Sequence, residues 1–229
     1  MNDSPDTKTR ILDTAERLFA ATGLEGTSLR SITREAQVNL AAVNYHFGSK
    51  EGLIKAVISR RLEPLNRERL RRLDRLEAGG EGGLEALVEA FVGPPLEFSR
   101  DTRAGGDRFV RLMGRSYAEH ADFLHEHLRA LNEPVVARFK PAFRQALPHL
   151  PKEELYWRLH FVVGAMSYTM AGNDMMHLLA TAQRVEPDDS RVITRRLVPF
   201  VVAGLQAPAP GEALEEDAAT QHKRATERG

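Results

Sequence analysis

One stretch of this chain, residues 28–53, constrains its fold more than any other. Its first part, SLRSITREA, has Leu29, Ile32 and Ala36 at the three- and four-residue spacing that puts side chains on one helix face. Ser28 precedes them and is a good N-cap, because its hydroxyl can accept a hydrogen bond from an orphan backbone N–H. The spacing therefore predicts a short helix that starts after Ser28 and buries one face.

A second short helix is predicted directly after the first, with Asn39 as its N-cap. Its inner side holds the apolar residues Leu40, Val43 and Phe47. The other side and its edges hold small, hydrogen-bonding or aromatic residues: Ala41, Ala42, Asn44, Tyr45 and His46. A glycine then ends the helix, and Ser49 can cap the next one. Two short helices around a tight turn, the second with a polar outward face, predict a helix-turn-helix.

Three short motifs in this stretch together resemble the signature of TetR-family transcriptional regulators: Thr27-Ser28, Tyr45-His46-Phe47 and Ser49-Lys50-Glu51. The run VNLAAVNYHFGSK further resembles a subgroup of that family that responds to fatty acids. Two residues depart from the family pattern, since Gln37 stands where a turn glycine is usual and Asn44 where a tyrosine is usual. If Gln37 adopts a left-handed conformation, the cost is on the order of 1 kcal/mol.

Composition narrows the class of protein. The chain has 229 residues, of which 42% are hydrophobic, which is enough for a real core and excludes wholesale disorder. The 32 basic and 32 acidic side chains cancel, which argues against indiscriminate binding of polyanions but permits a local basic face. Cysteine is absent, so disulfides and thiolate metal sites are excluded. The acidic, polar N-terminus predicts no signal peptide, and we expect a cytoplasmic protein without a membrane segment.

The pattern along the chain predicts an all-α fold, since strand alternation is absent. Residues 1–48 are expected to form a three-helix DNA-binding unit, which begins with a helix from Thr7 that ends near Gly23. Residues 49–76 are expected to form a linker helix that Pro64 kinks or breaks. Residues 77–206 are expected to form a helical ligand-binding and dimerisation domain. Residues 207–229 lack periodicity and are expected to be disordered.

Within the C-terminal domain the pattern predicts a series of separate helices. Their expected ranges are 84–91, 107–120, 121–131, 134–146, 153–182 and 189–206. Gly93-Pro94-Pro95 is expected to interrupt the first of them, and residues 100–106 are expected to form a loop. The arginine-rich run from Leu65 to Leu76 predicts a solvated, salt-bridged face, because acidic residues are interleaved with its five arginines.

The residue types and the resemblance together predict a DNA-binding face. The residues expected to contact DNA are Thr27, Ser28, Arg30, Asn39, Leu40, Ala41, Ala42, Asn44, Tyr45, His46 and Lys50. The two alanines allow close approach to a thymine methyl group, and Asn44 can pair with adenine. The phenol, imidazole and ammonium groups and the Thr27-Ser28 pair suit phosphate oxygens, which set the register of binding.

The charge distribution agrees with such a face, because residues 1–75 carry fourteen Lys or Arg against ten Asp or Glu. Lys8 and Arg10 can reach a neighbouring phosphate or can be ordinary solvated charges. Tyr45 can also pack at the base of the unit with its hydroxyl in water. Double-stranded operator DNA is therefore the expected macromolecular partner.

The last two predicted helices resemble the four-helix dimer interface of the family. The final helix places Val192, Ile193, Leu197, Phe200, Val201 and Leu205 on a wide apolar stripe. The helix before it has Tyr156, Leu159, Val163, Met166 and Met170 at helical spacing. A homodimer is expected, and the alternative is that both stripes only close the core of one chain.

The middle helices contain a large apolar set that suits a small-molecule pocket. The residues expected to bind a ligand are Phe98, Arg108, Leu112, Met113, Tyr117, Phe123, Phe139, Phe143, Trp157, His160, Phe161, Tyr168 and Asn173. Arg108, Arg111, His160 and Asn173 are the candidates for a polar head group. The resemblance implies a long-chain fatty acid or an acyl thioester as effector, and another apolar molecule, drug-like or aromatic, is the alternative.

An enzyme is the main rival class, and the sequence does not favour it. Ser167 lacks a GxSxG context, and no phosphate-binding glycine loop is present. His120, His125 and His127 do not share one helix face, so a metal site is not expected, and neither is a cofactor. The resemblance implies a repressor that an effector releases from DNA through a shift of the linker helix. A helical adaptor that binds protein is the third alternative.

Overall fold

The computed structural model describes residues 6–80, 82–118, 122–171 and 190–209. These residues form helices and contain no strand, so the all-α prediction is confirmed. The helices are α1 (Thr7–Gly26), α2 (Leu29–Ala36), α3 (Leu40–Phe47), α4 (Lys50–Gly79), α5 (Leu84–Arg100), α6 (Gly106–Ala118), α7 (Asp122–Ala146), α8 (Lys152–Ala171) and α9 (Ser190–Gln206). Among them, none is long and apolar enough to cross a bilayer.

Two hydrophobic cores share helix α4. The N-terminal core joins α1, α2 and α3 to the first turns of α4, and Leu112 of α6 and Leu124 of α7 are also buried in it. The C-terminal core joins the end of α4 to α5, α7, α8 and α9. Leu62, Leu65 and Phe109 form a small cluster between the two. Because α4 belongs to both cores, it connects the helix-turn-helix rigidly to the rest of the molecule.

Local capping determines where the short helices begin. Ser28, Asn39 and Ser49 each accept a backbone N–H from three residues further on, at 3.1, 2.8 and 3.1 Å. Gln37 ends α2 with φ 53° and ψ 48°, so it adopts the left-handed conformation that a glycine would adopt without strain. Gly23, with φ 83°, interrupts α1 at the residue where the sequence predicted its end, and a further turn continues to Gly26.

The expected breaks in the helices near prolines are wrong. Helix α4 runs unbroken past Pro64, α5 runs through Gly93-Pro94-Pro95, and α7 runs through Pro134, which joins two predicted helices into one. A proline removes one backbone donor, and packing on both sides of it can outweigh that loss. In α5, Pro95 cannot donate to the carbonyl oxygen of Phe91, and the Nε–H of Arg69 donates to that oxygen instead, at 2.8 Å.

The C-terminal end of α9 is anchored by one buried arginine. Arg158 donates from Nη1 to the carbonyl oxygens of Gly204, Leu205 and Ala207 and from Nη2 to that of Pro208, at 2.6–3.1 Å. A cation at a helix C-terminus also interacts favourably with the helix dipole. Ala207 and Pro208, at the start of the segment expected to be disordered, are exposed but hydrogen-bonded to Arg158, and Ala209 is buried. Residues 210–229, and residues 172–182 of the long predicted helix, lie outside the described residues.

Candidate nucleic-acid interface and apolar cavity

The outer face of α3 exposes polar and aromatic side chains that can form hydrogen bonds. Tyr45 is 84% exposed, and Leu40, Ala41 and Asn44 are exposed beside it. Ala42 and His46 are half-buried at the edges of the face. Val43 is fully buried below it, and Phe47 packs against the same core. The interpretation in which Tyr45 packs into the base of the unit is therefore wrong.

Two of the predicted DNA-contact residues use part of their side chains as caps. Asn39 accepts through Oδ1 from the backbone of Ala42, which leaves its Nδ2 group to donate to DNA. The Ser28 hydroxyl accepts from the backbone of Ser31 and also donates to its hydroxyl, at 3.2 Å. Arg30 is exposed on the same helix as Ser31. The Ser28 and Asn39 caps therefore order the N-termini of α2 and α3 in the absence of DNA.

The structure contradicts the expected phosphate contact through the Thr27 side chain. Thr27 is 2% exposed, and its hydroxyl donates to the carbonyl oxygen of Gly23 at 2.7 Å. The hydroxyl oxygen of Thr27 also lies 2.7 Å from that of Thr22. The side chain thus joins the end of α1 to the start of α2, and only backbone groups at this residue can face DNA.

Lys50 lies at the first position of α4, between the helix-turn-helix and the end of α1. Its Nζ is 3.4 Å from the carbonyl oxygen of Glu25, a long hydrogen bond that leaves the ammonium partly exposed. The N-terminal turn of α4 adds backbone N–H groups and the positive end of a helix dipole. This corner can therefore hold an anion such as a phosphate group.

Arg10 does not extend toward solvent as a free phosphate ligand. Its Nη2 donates to the carbonyl oxygens of Ala36 and Gln37, at 2.9 Å each, so it braces the turn between α2 and α3. Lys8 remains exposed. An ion pair between Arg17 and Glu35 adds a second link from α1 to α2.

A buried carboxylate connects the N-terminal unit to the linker. Glu16 of α1 is 1% exposed and accepts from Arg60 and from Arg61, the latter at 3.0 Å. Arg108 of α6 also lies near it, with Nε 3.8 Å from Oε1. Arg108, predicted to hold a ligand head group, thus faces Glu16 and does not line the apolar cavity described next.

An apolar cavity lies among α4, α5, α6, α7 and α8 and has a volume of about 300 Å³. Leucine, valine, methionine and aromatic side chains form most of its wall, and the polar side chains in the wall are those of Arg69, Asn132 and Ser167. A volume of this size is at the lower end of the range for small-molecule sites. Of the predicted ligand-binding residues, Met113 lies in the wall.

Most of the other predicted ligand-binding residues have different surroundings. Leu112 is buried in the N-terminal core, and Phe123 packs against that core beneath Lys55. Phe139 and Phe143 fill the C-terminal core. Phe98 packs on Phe109 and lies under Arg61, next to the cavity but not in its wall. Core residues and pocket residues are both apolar, so their spacing along one helix does not show which of the two they are.

A further group lies on the surface. Trp157, His160, Phe161 and Tyr168 are exposed on α8, with Trp157 stacked on Phe161 at 6.0 Å between ring centroids. Phe200 of α9 is 71% exposed as well. None of them lies in the wall of the apolar cavity, and Trp157, Phe161 and Phe200 give α8 and α9 an exposed aromatic surface. The side chains of Arg111 and Tyr117, and Asn173 entirely, lie outside the described residues.

The stripes predicted for dimerisation mostly close the core of one chain. Val201 and Leu205 are buried, and Ile193, Leu197, Leu159 and Met170 pack against the C-terminal core. Phe200 and Val163 of these stripes are exposed, and so are Trp157 and Phe161 of α8. A Cβ placed on Gly164 or Gly204 would meet no atom within 4 Å, so the backbone is accessible beside these aromatic rings.

Arg69 is the cavity residue that sequence reasoning missed. It was assigned to a solvated, salt-bridged face, and that assignment is correct for Arg71 and Arg72, which bind Glu68 at 2.7 and 2.8 Å. Arg69 itself is only 5% exposed. The signal was present, since Leu62, Leu65, Asn66 and Arg69 follow the three- and four-residue spacing of one buried face.

The described residues hold no cluster of His, Asp or Glu that could bind a metal ion. His127, one of the histidines considered for a metal, lies 2.8 Å from the Ser59 hydroxyl and 3.2 Å from the Lys55 carbonyl oxygen. The exposed residues of α3 have the chemistry to contact DNA, and the cavity can hold an apolar molecule.

Two family models match this chain. Residues 11–57 match the model described as bacterial regulatory proteins, tetR family, and residues 89–204 match the tetracyclin repressor-like C-terminal domain. The matched regions contain the helix-turn-helix and most of the helices around the cavity. The two family matches do not support the narrower resemblance to a fatty-acid-responsive subgroup.

Similar proteins extend this result. The transcriptional regulator SrpR of Pseudomonas putida is 32% identical over 92 residues, 40% of this chain and 43% of SrpR. The probable regulator YttP of Bacillus subtilis is 42% identical over 53 residues, 23% of this chain and 26% of YttP. This chain therefore matches less than half the length of either relative.

Solved structures resemble the whole fold at low sequence identity. GusR of Salmonella enterica aligns with a TM-score of 0.62 at 20% identity, over 88% of this chain and 96% of GusR. PfmR of Thermus thermophilus aligns with a TM-score of 0.63 at 15% identity, over 90% of this chain and 99% of PfmR. At such identities the likeness demonstrates the fold alone.

Proposed function

This chain belongs to the TetR family of bacterial regulatory proteins, and on that premise we propose that it is a DNA-binding transcriptional regulator whose operator affinity an apolar small molecule modulates. The observation that carries the proposal is the outer face of α3, where Tyr45, Ala41 and Asn44 are exposed on a capped, well-packed helix. The relatives that are named as transcriptional regulators support it. Such a protein acts in the cytoplasm, where its operator is.

On the operator, α3 lies in the major groove. The small side chains of Ala41 and Ala42 let the helix approach the base edges, and the amide of Asn44 pairs with a base. Tyr45, His46 and Lys50 contact phosphates at the rim of the groove and set the register. The N-terminus of α4 adds backbone donors to the same strand.

The protein binds its operator as a homodimer. One short helix reads few base pairs, and a twofold partner doubles both the contacts and the specificity. The exposed rings of Trp157, Phe161 and Phe200 suit an interface, because aromatic side chains carry much of the energy of protein–protein contacts. The two copies of α3 are then about one DNA turn apart, roughly 34–36 Å.

The effector binds in the cavity among α4 to α8 and acts through α4. Because α4 contacts the cavity through Leu62, Leu65 and Arg69 and begins at Lys50 beside α3, a shift of this helix moves the recognition helices. A coupling of about 1–3 kcal/mol changes operator affinity by about 5- to 150-fold. We expect the effector to release the protein from DNA, so that the effector-free protein acts as a repressor.

The effector is an apolar molecule of modest size. Fatty acids and acyl thioesters are the first candidates by sequence resemblance, and drug-like or aromatic molecules fit the same apolar wall. The cavity volume of about 300 Å³ favours a single apolar chain or ring system over a large conjugate. No further cofactor is required.

The test is a fluorescence anisotropy titration of the full-length protein against DNA from upstream of its own gene, at several salt concentrations. The logarithm of the affinity should fall linearly with the logarithm of salt concentration, because phosphate contacts release counterions. The double variant Tyr45→Ala with Lys50→Ala should lower the affinity strongly. Lys140→Ala is a matched control, since Lys140 is an exposed lysine of α7, outside the N-terminal unit.

Two results would contradict the proposal. Affinity that does not depend on salt would exclude binding through phosphates. Unchanged affinity in the Tyr45 and Lys50 double variant would exclude this face of α3, and a helical adaptor that binds protein would then become the better interpretation.

A further inference from the structure

Arg69 occupies an unusual position, because its guanidinium is buried beside an apolar cavity without an acidic partner. Its side chain is 5% exposed and forms part of the cavity wall. Its three hydrogen bonds go to neutral acceptors: Nε to the Phe91 carbonyl oxygen at 2.8 Å, Nη1 to Asn66 Oδ1 at 3.2 Å and Nη2 to Met166 Sδ at 3.5 Å. A thioether sulfur is a weak acceptor, so the Nη2 end is poorly satisfied.

Arg158, the other buried arginine of the described residues, has a carboxylate partner, and so do several half-buried arginines, whereas the half-buried Arg10 and Arg100 donate to backbone carbonyl oxygens. Arg60 and Arg61 share Glu16, Arg72 binds Glu68 and Glu97, and Arg158 binds Glu154. No carboxylate of the described residues forms an ion pair with Arg69. Neutral acceptors satisfy N–H groups but do not balance the positive charge, and burial of a charge without a counter-charge is destabilising.

Arg69 has a structural role, but that role accounts for only one of its hydrogen bonds. Its Nε–H replaces the donor that Pro95 cannot supply to Phe91, and its Cζ lies 4.8 Å from the centroid of the Phe91 ring. A neutral donor would serve the carbonyl oxygen equally well. The Nη2 group, which reaches Met166 in the cavity wall, has no comparable structural task.

Burial lowers the pKa of Arg69 to about 10, so the group is still cationic at neutral pH. Asn132 and Ser167 lie in the same wall and can add hydrogen bonds to a polar head group. The cavity thus combines one cation, two neutral polar side chains and an otherwise apolar surface.

From this arrangement, and resting on the function proposed above, we propose that the effector is an amphipathic anion whose acidic group binds the guanidinium of Arg69 while its apolar body fills the cavity. A carboxylate is the simplest such group, since it matches the planar donor fork of arginine. A neutral molecule of the same shape leaves the cation unbalanced and binds more weakly. A cationic one adds repulsion.

The test measures binding of three amphiphiles of equal chain length to the full-length protein by isothermal titration calorimetry, below their micelle concentrations. The probes are decanoate, 1-decanol and decyltrimethylammonium. Wild-type protein should bind decanoate about tenfold or more tightly than 1-decanol, and decyltrimethylammonium most weakly. The comparison needs no variant, so it stands even if substitution of Arg69 prevents folding.

Variants then assign the preference to Arg69. Arg69→Met should remove the difference between decanoate and 1-decanol, and Arg69→Lys should retain a reduced preference for the anion. Arg67→Met, on the exposed side of the same helix, should behave as wild type. The ratio of the two affinities distinguishes ligand recognition from a purely structural role, which would weaken both ligands together.

The outcomes separate this inference from the proposed function. Equal binding of decanoate and 1-decanol, or a preference that survives in Arg69→Met, overturns the inference and leaves the regulator proposal intact. Selective binding of decanoate without any change of operator affinity supports the anion site and contradicts its regulatory role. Binding of none of the three probes overturns both the anion site and the apolar effector, while DNA binding is judged separately by the salt titration.

Discussion

Arg10 and Gln37 are joined across the turn of the helix-turn-helix, where the Nη2 of Arg10 donates to the carbonyl oxygen of Gln37 at 2.9 Å. The same nitrogen donates to the carbonyl oxygen of Ala36, also at 2.9 Å. Both oxygens lie at the C-terminal end of α2, where intrahelical donors are missing. A long side chain from α1 thereby holds the left-handed residue that sets the angle between α2 and α3.

Replacement of this arginine should loosen the turn. Arg10→Met should lower the free energy of unfolding by about 1–3 kcal/mol, because two hydrogen bonds from a charged donor are lost. Operator affinity should fall with it, since α3 is no longer held in place. Thermal denaturation and anisotropy measure the two effects, and Lys8→Met is the matched exposed control. Equal stability of the two variants would mean that the hydrogen bonds of Arg10 contribute nothing to the free energy of unfolding.

Gln37 is a site where a glycine should stabilise the protein. Its left-handed backbone is strained for a residue with a Cβ, so Gln37→Gly should raise the free energy of unfolding by about 0.5–1 kcal/mol. Arg34→Gly, within α2, should lower it by about the same amount, because glycine is a poor helix former. Chemical denaturation compares the two, and a less stable Gln37→Gly would show that the conformation is not strained.

Glu16 is the charged residue whose neutralisation should destabilise the molecule most. Glu16→Gln leaves Arg60 and Arg61 without their buried counter-charge and should cost about 3–5 kcal/mol. Asp13→Asn is the control, since Asp13 binds Arg60 at 2.6 Å but is largely exposed and should cost at most about 1 kcal/mol. Urea denaturation gives both values, and similar losses would contradict the role of burial.

Glu68 should make stability depend on pH at acidic values. Hydrogen bonds from Arg71 and Arg72 lower the pKa of Glu68 to about 2, from an ordinary value of 4.5. Its contribution is therefore present above about pH 4.5 and is lost as the pH falls toward 2. Glu68→Gln should be less stable than wild type at pH 7, by about 0.2–1 kcal/mol because the pair is partly exposed.

The same comparison at acidic pH completes the test. Near pH 2, or at the lowest pH where the fold persists, wild type and Glu68→Gln should converge in melting temperature. Glu63→Gln, whose partner Arg67 is 3.9 Å away, should show little difference at any pH. A constant gap between Glu68→Gln and wild type would mean that the carboxylate charge is not responsible.

The exposed aromatic surface should control association. Phe200→Arg places a charge in the middle of the apolar surface of α8 and α9 and should shift the protein from dimer to monomer. Sedimentation velocity measures the shift, and operator affinity should fall in parallel because the twofold pairing is lost. Gln145→Arg, at an exposed position of α7, should leave the association state unchanged. A variant that remains dimeric would exclude this surface as the interface.

Local signals in the sequence predicted the helix-turn-helix closely. Ser28, Asn39 and Ser49 cap the helices that the sequence predicted, and Gln37 adopts the left-handed conformation considered for it. Such signals depend on residues three or four apart, so one chain segment contains the whole of the information. The same spacing indicated the exposed face of α3 except at Leu40, which was placed on the inner side and is 47% exposed.

The sequence did not predict the continuity of the long helices or the packing of the C-terminal half. Pro64 was expected to kink or break its helix, Gly93-Pro94-Pro95 to interrupt one and Pro134 to begin one, and each lies inside a continuous helix. In α5, the carbonyl oxygen of Phe91 accepts from Arg69, which is twenty-two residues away in the chain. Phe139 and Met113 are equally apolar, and only the packing of several helices puts one in the core and the other in the cavity wall.

What the amino-acid order determined by itself was the all-helical class and the capped helices of the DNA-binding unit, since both follow from short-range periodicity and hydrogen bonds. Tertiary structure alone decided that Glu16 meets three arginines and that Arg69 lies buried at an apolar cavity. The physical reason is that burial and charge pairing arise between helices far apart in the chain, and the spacing of residues along one helix carries no record of them.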